Sequence, residues 1–178
     1  MILLFTGNGK GKTTASLGQM VRVAGRGKNA LMIQFIKGPW ISGEDEFGKT
    51  FFPDAAPGAK FEIRKMGLGF VGILGDKLPT EEHAAAARKA LDIFIEERKS
   101  GKWHLIALDE VNVAISLGLI TVREVIDAVK DYPEDRILIL SGRGAPQELV
   151  DIADLATEMK ETKHPFNEGV KAKFTVEF

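Results

Sequence analysis

Short apolar runs alternate along the chain with longer segments in which apolar residues recur at helical spacing. The runs show little polar alternation, which is typical of strands buried on both faces of a parallel sheet. Glycine, proline and asparagine separate most runs from the helical segments. Strands are expected at residues 1–5, 30–36, 61–65, 104–108, 136–140 and 154–161, with an alternating edge strand in KFTVEF at 173–178.

The segments between these runs predict helices. The first is expected from Lys12 to about Gly25, and a long one is expected to have Thr80 as N-cap and to stop at Gly101. Shorter helices are expected near 44–50, at 122–129 and near 146–152. The apolar helix positions are Ala15, Leu17, Val21 and Ala24 in the first helix and Ala84, Ala87, Leu91, Phe94 and Ile95 in the long one.

Strands alternating with helices predict an α/β fold, a mostly parallel sheet flanked by helices. A length of 178 residues suits a single domain over 1–178. Ligands of such sheets bind at the carboxyl ends of the strands. Four candidate motifs lie at such ends, at residues 7–14, 34–38, 109–110 and 142–144.

Composition narrows the classes of function. A net charge of −1 without a basic block disfavours a general nucleic-acid binder. The absence of cysteine excludes disulfides, thiolate zinc sites, iron–sulfur clusters and cysteine nucleophiles. The apolar runs are too short to cross a membrane, and no secretory segment precedes the first strand, so a cytoplasmic protein is expected.

The segment TGNGKGKTT at 6–14 lies between the first strand and the first helix. Gly7, Gly9 and Gly11 allow backbone N–H groups to converge on phosphate oxygens, next to the positive end of a helix dipole. Lys12 is expected to reach the β- and γ-phosphates and the Thr13 hydroxyl to bind Mg²⁺. The segment therefore predicts a phosphate-binding loop and a nucleotide ligand.

The lead position of this loop departs from the usual pattern, because Thr6 stands where glycine is common. That position demands a turn more than a side chain, and Gly7 can supply the turn. The dinucleotide-binding pattern fails, since Lys12 occupies the place of its third glycine.

Charged residues follow three other expected strands. Asp109 and Glu110 end an apolar strand, and acids at this place hold Mg²⁺ directly or through water in phosphate-loop proteins. Capping of the next helix is the alternative. Lys37 and Arg143 are candidate phosphate ligands, with a solvated surface charge as the alternative for each.

The loop GLGFVGILG at 67–75 presents Phe70, Val71, Ile73 and Leu74 between glycines. It either clasps a large flat partner or packs into the core or a subunit interface, and composition does not choose between these. Histidines 83, 104 and 164 are interpreted as structural, although His164 shares a turn with Phe166 and Asn167.

The chain resembles the ATP:corrinoid adenosyltransferases of cobalamin synthesis and salvage over nearly its whole length. The resemblance lies in the segments TGNGKGKTT, GKN at 27–29, QFIKG at 34–38, LDEVN at 108–112, SGRGAP at 141–146 and the tail at 153–172. It implies a RecA-like phosphate-loop fold. It also implies transfer of the 5′-deoxyadenosyl group of ATP to the Co(I) of a reduced corrinoid, with release of triphosphate.

The resemblance also implies roles for particular residues. Lys12, Thr13, Glu110 and Phe70 would be catalytic, and Thr13, Glu110 and Asp109 would hold Mg²⁺. Phe70 and Val71 would contact the corrinoid. The implied ATP-binding residues are Gly7, Asn8, Gly9, Lys10, Gly11, Lys12, Thr13, Thr14, Arg22, Lys37 and Arg143.

The chain departs from the family pattern at two places. Family members carry a G-F-T-W stretch whose aromatics displace the lower axial ligand of cobalt(II); here the stretch is Gly69-Phe70-Val71-Gly72, so glycine replaces the tryptophan. Asn167 stands where many relatives have aspartate. By family habit a homodimer and a flavodoxin-like or flavin electron donor are expected as well.

Two other functions compete with this one. The first is an ATPase or kinase that acts at the γ-phosphate and recruits Glu110 to position water or an acceptor. The second is a nucleotide-dependent binding module that holds a protein partner with the apolar 66–75 loop.

Overall fold

A computed structural model describes residues 1–51, 58–73, 75–164 and 169. Its six strands form one sheet in which every neighbouring pair is parallel, in the order β3-β2-β4-β5-β1-β6. The predicted α/β architecture is confirmed. The strands are β1 (Ile2–Thr6), β2 (Ala30–Gln34), β3 (Phe61–Lys65), β4 (Leu105–Asp109), β5 (Ile137–Ser141) and β6 (Leu155–Glu158).

Helices connect these strands and cover both faces of the sheet. Within the described part of the chain they are α1 (Lys12–Ala24), α2 (Gly43–Phe51), α3 (Thr80–Ser100), α4 (Val111–Ser116), α5 (Val122–Val129) and α6 (Gln147–Ile152). The α5 helix starts with a capping box: the Glu124 N–H donates to the Thr121 hydroxyl, and the Thr121 N–H donates to the Glu124 carboxylate.

The strand order sets the geometry of the functional edge. β5 lies between β1, which leads into the phosphate loop, and β4, which ends at Asp109. Since all strands are parallel, their carboxyl ends share one edge of the sheet. The phosphate loop, Asp109 and the loops after β2, β3 and β5 therefore meet at that edge.

Two apolar clusters lie on the two faces of the sheet. The larger packs α3, α4 and α5 against residues such as Leu4, Ile33 and Leu108, and the smaller packs α1 against residues such as Phe5 and Met32. All five residues of β2 and of β4 are buried, as expected for central strands of a covered sheet.

Several predicted details require correction. Val21 is 45% exposed, because the buried face of α1 follows Lys12, Ser16, Met20 and Ala24 at four-residue spacing. Thr80 is not the N-cap of α3: Pro79 occupies that position without a side-chain cap, and Thr80 is already helical.

Other differences concern short elements. The six-residue helix α4 was not predicted, since it directly follows Asp109-Glu110 and is too short to show helical periodicity. The expected strand at 154–161 is confirmed but is shorter than predicted, because β6 covers only Leu155–Glu158. The expected edge strand KFTVEF lies outside the described residues, and so do three residues named above: Leu74, Phe166 and Asn167.

Among the helices of the described residues, none has the length and apolar character needed to cross a membrane.

Candidate active site

The phosphate loop turns sharply between β1 and α1. Gly7 and Gly11 have positive φ angles of 93° and 112°, and Gly11 is the N-cap of α1. The Gly11 carbonyl accepts the first bond of the helix, from the Ala15 N–H at 2.7 Å. The first N–H groups of α1 are therefore left for a ligand, as the motif predicts.

Two glycines of this loop also leave room for the backbone of a neighbouring segment. The Gly9 N–H donates to the Met159 carbonyl at 2.7 Å, and the Met159 N–H donates to the Thr6 carbonyl at 2.8 Å. A Cβ at Gly7 or at Gly9 would come within 2.5 and 2.8 Å of the Met159 carbonyl oxygen. The segment after β6 thus packs directly on the loop, which sequence reasoning had not anticipated.

Lys12 is buried and folds back over its own loop. Its ammonium group donates to the carbonyl oxygens of Gly7 at 2.8 Å and Gly9 at 2.7 Å. Burial lowers the pKa of Lys12, and the nearby Glu110 opposes that shift. The cation is held within the loop at the place where a phosphate chain would lie, and it can exchange carbonyl partners for phosphate oxygens.

Asp109 is fully buried at the end of β4 and accepts hydrogen bonds from three other elements. Its Oδ1 accepts from the Thr13 hydroxyl at 3.0 Å and the Ser141 hydroxyl at 2.7 Å. Its Oδ2 accepts from the Gln34 amide nitrogen at 3.1 Å. Both carboxylate oxygens are therefore engaged in positioning α1, β5 and β2, and Asp109 holds the predicted magnesium ligand Thr13 in place.

Glu110 has a strained backbone. Its φ of 60° makes it the one non-glycine residue with positive φ in the described ranges, and its N–H donates to the Ser141 hydroxyl at 3.1 Å. Left-handed backbone at a non-glycine residue costs on the order of 1 kcal/mol and is concentrated at functional sites. Burial first, and then the charge of Asp109, raise the pKa of Glu110 to about 7.

Three buried side-chain oxygens at this edge have no hydrogen-bond partner among the described residues: Gln34 Oε1, Glu110 Oε2 and Asn112 Oδ1. Buried acceptors of this kind require a donor or a cation. The Thr13 hydroxyl and the Glu110 carboxylate are oxygen ligands of the type that Mg²⁺ prefers. The donor set therefore fits a magnesium ion shared with phosphate oxygens.

The loop after β5 carries Arg143 between two glycines with positive φ. Arg143 is exposed and lies near enough to influence the pKa values of both Lys12 and Glu110. The Asn112 amide donates to the Gly142 carbonyl at 3.1 Å, which fixes the start of this loop against α4. A cation at this position can meet a phosphate chain held by the phosphate loop.

Lys37 and Arg22 differ in their placement. Lys37 lies near the functional edge, where it forms an ion pair with Glu44 of α2 and influences the pKa of Glu110. Arg22 lies on the last turn of α1, about 15 Å along the helix axis from Lys12 at ~1.5 Å per residue. There it lines a groove with Arg26 and His104. The structure does not bring Arg22 to the phosphate loop.

The remaining predicted ATP-binding residues all belong to the phosphate loop itself. Asn8, Lys10 and Thr14 are exposed on it, and Lys10 contributes to the charge around Lys12.

Phe70 is 49% exposed on the loop after β3, whereas its neighbour Val71 is half-buried and packs against the larger apolar cluster. Val71 thus anchors the loop that presents Phe70. Gly72 has a φ of 68°, and its N–H donates to Asp76 at 2.8 Å. Tryptophan at position 72 would require a left-handed conformation that side chains disfavour.

Asp76 and His83 hold the far side of this loop. Asp76 Oδ1 accepts from the Leu78 N–H at 3.1 Å, and Asp76 Oδ2 lies 3.0 Å from His83 Nε2. His83 is buried on α3, so its predicted structural role has a physical basis. His104 lies directly before β4, where its backbone pairs with Asn29 and Ile137.

Sequence reasoning missed the side-chain contact of Thr6 and the exposed ring of Trp40 at this edge. Thr6 Oγ1 accepts a hydrogen bond from the Ala145 N–H at 3.2 Å, which links the phosphate loop to the loop of Arg143. Trp40 is 60% exposed, and its ring centroid lies 6.0 Å from that of Phe70. The available signal for Trp40 was its position two residues after the QFIKG motif.

A phosphate loop between β1 and α1, with an acid pair at the carboxyl end of β4 one strand beyond β5, defines an α/β protein of the phosphate-loop class. The chain belongs to the family ATP:corrinoid adenosyltransferase BtuR/CobO/CobP, which it matches over residues 1–178.

Curated relatives are similar over the whole of this chain. It is 36% identical to a corrinoid adenosyltransferase of Sinorhizobium sp., covering 100% of this chain and 80% of the relative. It is 32% identical to the corrinoid adenosyltransferase of Escherichia coli K12, covering 100% and 85%. It is 31% identical to the corrinoid adenosyltransferase CobA of Salmonella typhimurium LT2, covering 100% and 85%.

The Thr6 contact generates a first prediction. Thr6→Val removes the acceptor for the Ala145 N–H and is expected to lower the free energy of unfolding by about 1 kcal/mol. ATP affinity should fall by roughly fivefold, since the loop of Arg143 loses its link to the phosphate loop. Thermal unfolding and calorimetric titration with MgATP measure the two effects. Thr6→Ser keeps the hydroxyl and is the control; equal losses in both variants would contradict the coupling.

Glu110 generates a second prediction, tested without metal or nucleotide. Its pKa is about 7 in the folded chain, above its ordinary value of 4.5 in the unfolded chain. Its contribution to stability is therefore fully present below pH 4.5 and is lost as the pH rises to 7, because the fold then buries a charge.

Glu110→Gln mimics the protonated acid at all pH values. The variant should be more stable than the parent chain by roughly 3 kcal/mol above pH 7, and this advantage should shrink towards pH 4.5. Urea unfolding in EDTA at several pH values measures it. A stability difference that does not vary with pH would show that Glu110 keeps an ordinary pKa.

Proposed function

We propose that this protein transfers the 5′-deoxyadenosyl group of ATP to the Co(I) of a reduced corrinoid and releases triphosphate. The observation that carries this proposal is the match to the adenosyltransferase family over the whole chain, with the phosphate loop intact. ATP and the corrinoid are both substrates in this reaction.

The reaction is a displacement at carbon. Co(I) attacks the ribose 5′-carbon, the cobalt–carbon bond forms, and the bond from the 5′-carbon to the triphosphate oxygen breaks. The electron pair of the broken bond leaves with triphosphate, and cobalt is formally oxidised to Co(III). Co(I) is a strong nucleophile already, so the protein contributes alignment and stabilisation of the leaving charge.

The residues of the phosphate loop supply that stabilisation. The ammonium group of Lys12, which contacts the Gly7 and Gly9 carbonyls, would turn to the phosphate oxygens when ATP binds. The N–H groups at the start of α1 and the guanidinium of Arg143 would bind the same chain. Lys37 and the exposed loop residues Asn8, Lys10 and Thr14 complete the proposed ATP site.

Thr13 and Glu110 are the proposed magnesium ligands. Asp109 supports them indirectly, since its own oxygens hold Thr13, Ser141 and Gln34. When bound, Mg²⁺ would neutralise charge on the triphosphate as it leaves. Glu110 must be ionised to serve, and a nearby cation favours the ionised form.

Phe70 is the proposed corrinoid contact, with Val71 supporting it from the core. An aromatic ring presented by a glycine-bounded loop can occupy the face of cobalt(II) from which the lower ligand has to leave. An external flavin or flavodoxin-like reductant and a homodimer are further predictions that rest on the family resemblance.

One observation favours a second candidate, an ATPase or kinase that acts at the γ-phosphate. A carboxyl group with a pKa of about 7 beside a phosphate loop is suited to act as a general base. A nucleotide-dependent binding module that uses the apolar loop is the third candidate.

One assay separates the three functions. The protein is incubated with MgATP and chemically reduced cobalamin, while the cobalamin spectrum and the phosphate products are followed. Adenosylcobalamin with triphosphate supports the proposal. ADP with orthophosphate, formed without corrinoid, supports the second candidate. No turnover, together with nucleotide-dependent capture of a protein partner, supports the third.

Lys12→Ala is expected to lower adenosylcobalamin formation by at least a hundredfold, because the leaving triphosphate loses its buried cation. The fold should persist, as judged by circular dichroism. Lys28→Ala is the control, since Lys28 is an exposed lysine beyond the far end of α1. Full activity of Lys12→Ala would contradict the assignment of the phosphate loop.

Phe70→Ala is expected to slow the reaction that starts from cobalt(II) by roughly tenfold more than the reaction that starts from pre-reduced Co(I), since only the former requires loss of the lower ligand. Parallel assays from the two starting states measure the ratio. Ile73→Ala, an exposed apolar residue of the same loop, is the control. Equal losses from both states would count against the ligand-displacing role.

A further inference from the structure

Trp40 is an exposed aromatic residue at the functional edge. It has no role in the proposed ATP and magnesium sites. Its side chain is 60% exposed and lies in the loop between β2 and α2. Its ring centroid is 6.0 Å from that of Phe70, with an interplanar angle of 34°. The two exposed rings therefore form a pair that joins two different loops, and this pair is named the aromatic wall.

The backbone is shaped to hold the Trp40 ring. The ring lies across Gly38 and Gly69, where a Cβ would come within 2.7 Å and 2.5 Å of its atoms. Gly69 also has a φ of 110°. Both glycines are buried, so one side of the exposed Trp40 ring packs against fixed backbone.

Polar contacts fix the backbone next to this ring. Lys65, the last residue of β3, donates to the Trp40 carbonyl and pairs with Asp45 of α2. The Gly69 N–H donates to the Ile36 carbonyl at 3.0 Å, which joins the loop of Phe70 to the loop of Trp40. These contacts connect the aromatic wall to the ends of β2 and β3.

The position of the wall relates it to the reaction. β2 is separated from β1 by β4 and β5, which places the wall roughly 14 Å along the edge from the phosphate loop at ~4.8 Å per strand spacing. The carboxyl end of β4 lies between them. A nucleotide whose triphosphate lies on the phosphate loop can therefore direct its other end towards the wall.

We propose that Trp40 contacts the corrin ring of the substrate and, together with Phe70, forms the aromatic surface against which the corrinoid binds. This inference rests on the proposed adenosyltransferase function. Trp40 would supply the second aromatic ring that the resemblance places at position 72, where this chain has a left-handed glycine. The broad, flat face of a corrin macrocycle matches a two-ring aromatic surface better than a phosphate does.

The test compares Trp40→Ala and Trp40→Phe with the parent chain. With pre-reduced Co(I)alamin and saturating MgATP, Trp40→Ala should raise the corrinoid KM roughly tenfold, while the KM for ATP stays within about twofold. Trp40→Phe retains a ring and should recover most of the affinity. Equilibrium dialysis with cobalamin in the presence of ATP gives an independent measure.

Phe51→Ala is the matched control. Phe51 is 66% exposed and also packs on a second ring, that of Phe47. Phe47 in turn contacts Phe61, the first residue of β3, so this pair lies at the amino end of β3 and the aromatic wall at its carboxyl end. Its removal should leave both KM values unchanged.

Two outcomes would overturn the inference. One is an unchanged corrinoid KM in Trp40→Ala; the other is an equal rise of both KM values with a lower unfolding temperature, which would indicate a purely structural tryptophan. Failure of the proposed function would look different, because the parent chain itself would then form no adenosylcobalamin.

Discussion

The buried carboxylate of Asp109 is the interaction on which the functional edge depends. It joins β4 to α1 through Thr13, to β5 through Ser141 and to β2 through Gln34. A fully buried carboxyl group needs hydrogen-bond partners, and these three side chains together supply them. The same group that orders the edge thereby fixes the hydroxyl of Thr13 beside the phosphate loop.

Close approach of backbone explains much of the glycine pattern around that carboxylate. Gly7 and Gly9 make room for the segment after β6 as well as for phosphate, and Gly142 makes room for Glu110 and Asn112. Glu110 adopts its left-handed conformation within this crowded region. The strained backbone of Glu110 and its buried carboxyl group therefore lie at the same place, next to the proposed position of the leaving triphosphate.

The sequence predicted most of the elements and the class of the site, but not the short helix α4. Residues 61–65 and 122–129 were predicted with the observed bounds, because apolar periodicity is a local property. The engagement of both Asp109 oxygens was not predictable, since it depends on which strands become neighbours. Trp40 was missed for the same reason: its partner lies thirty positions away, and only the fold brings the two rings together.

Gln34 connects the two halves of the proposed site. Its side chain donates to Asp109, while its carbonyl accepts from the N–H groups of Met66 and Gly67 at 2.9 and 3.2 Å. The loop that presents Phe70 is thus attached to the same residue that completes the shell of Asp109. Alignment of a cobalt nucleophile with a carbon at the far end of a bound triphosphate requires that neither half move independently. The hydrogen bonds from Gln34 and Thr13 to Asp109 connect the loop of Phe70 to the start of α1, and so link the two halves.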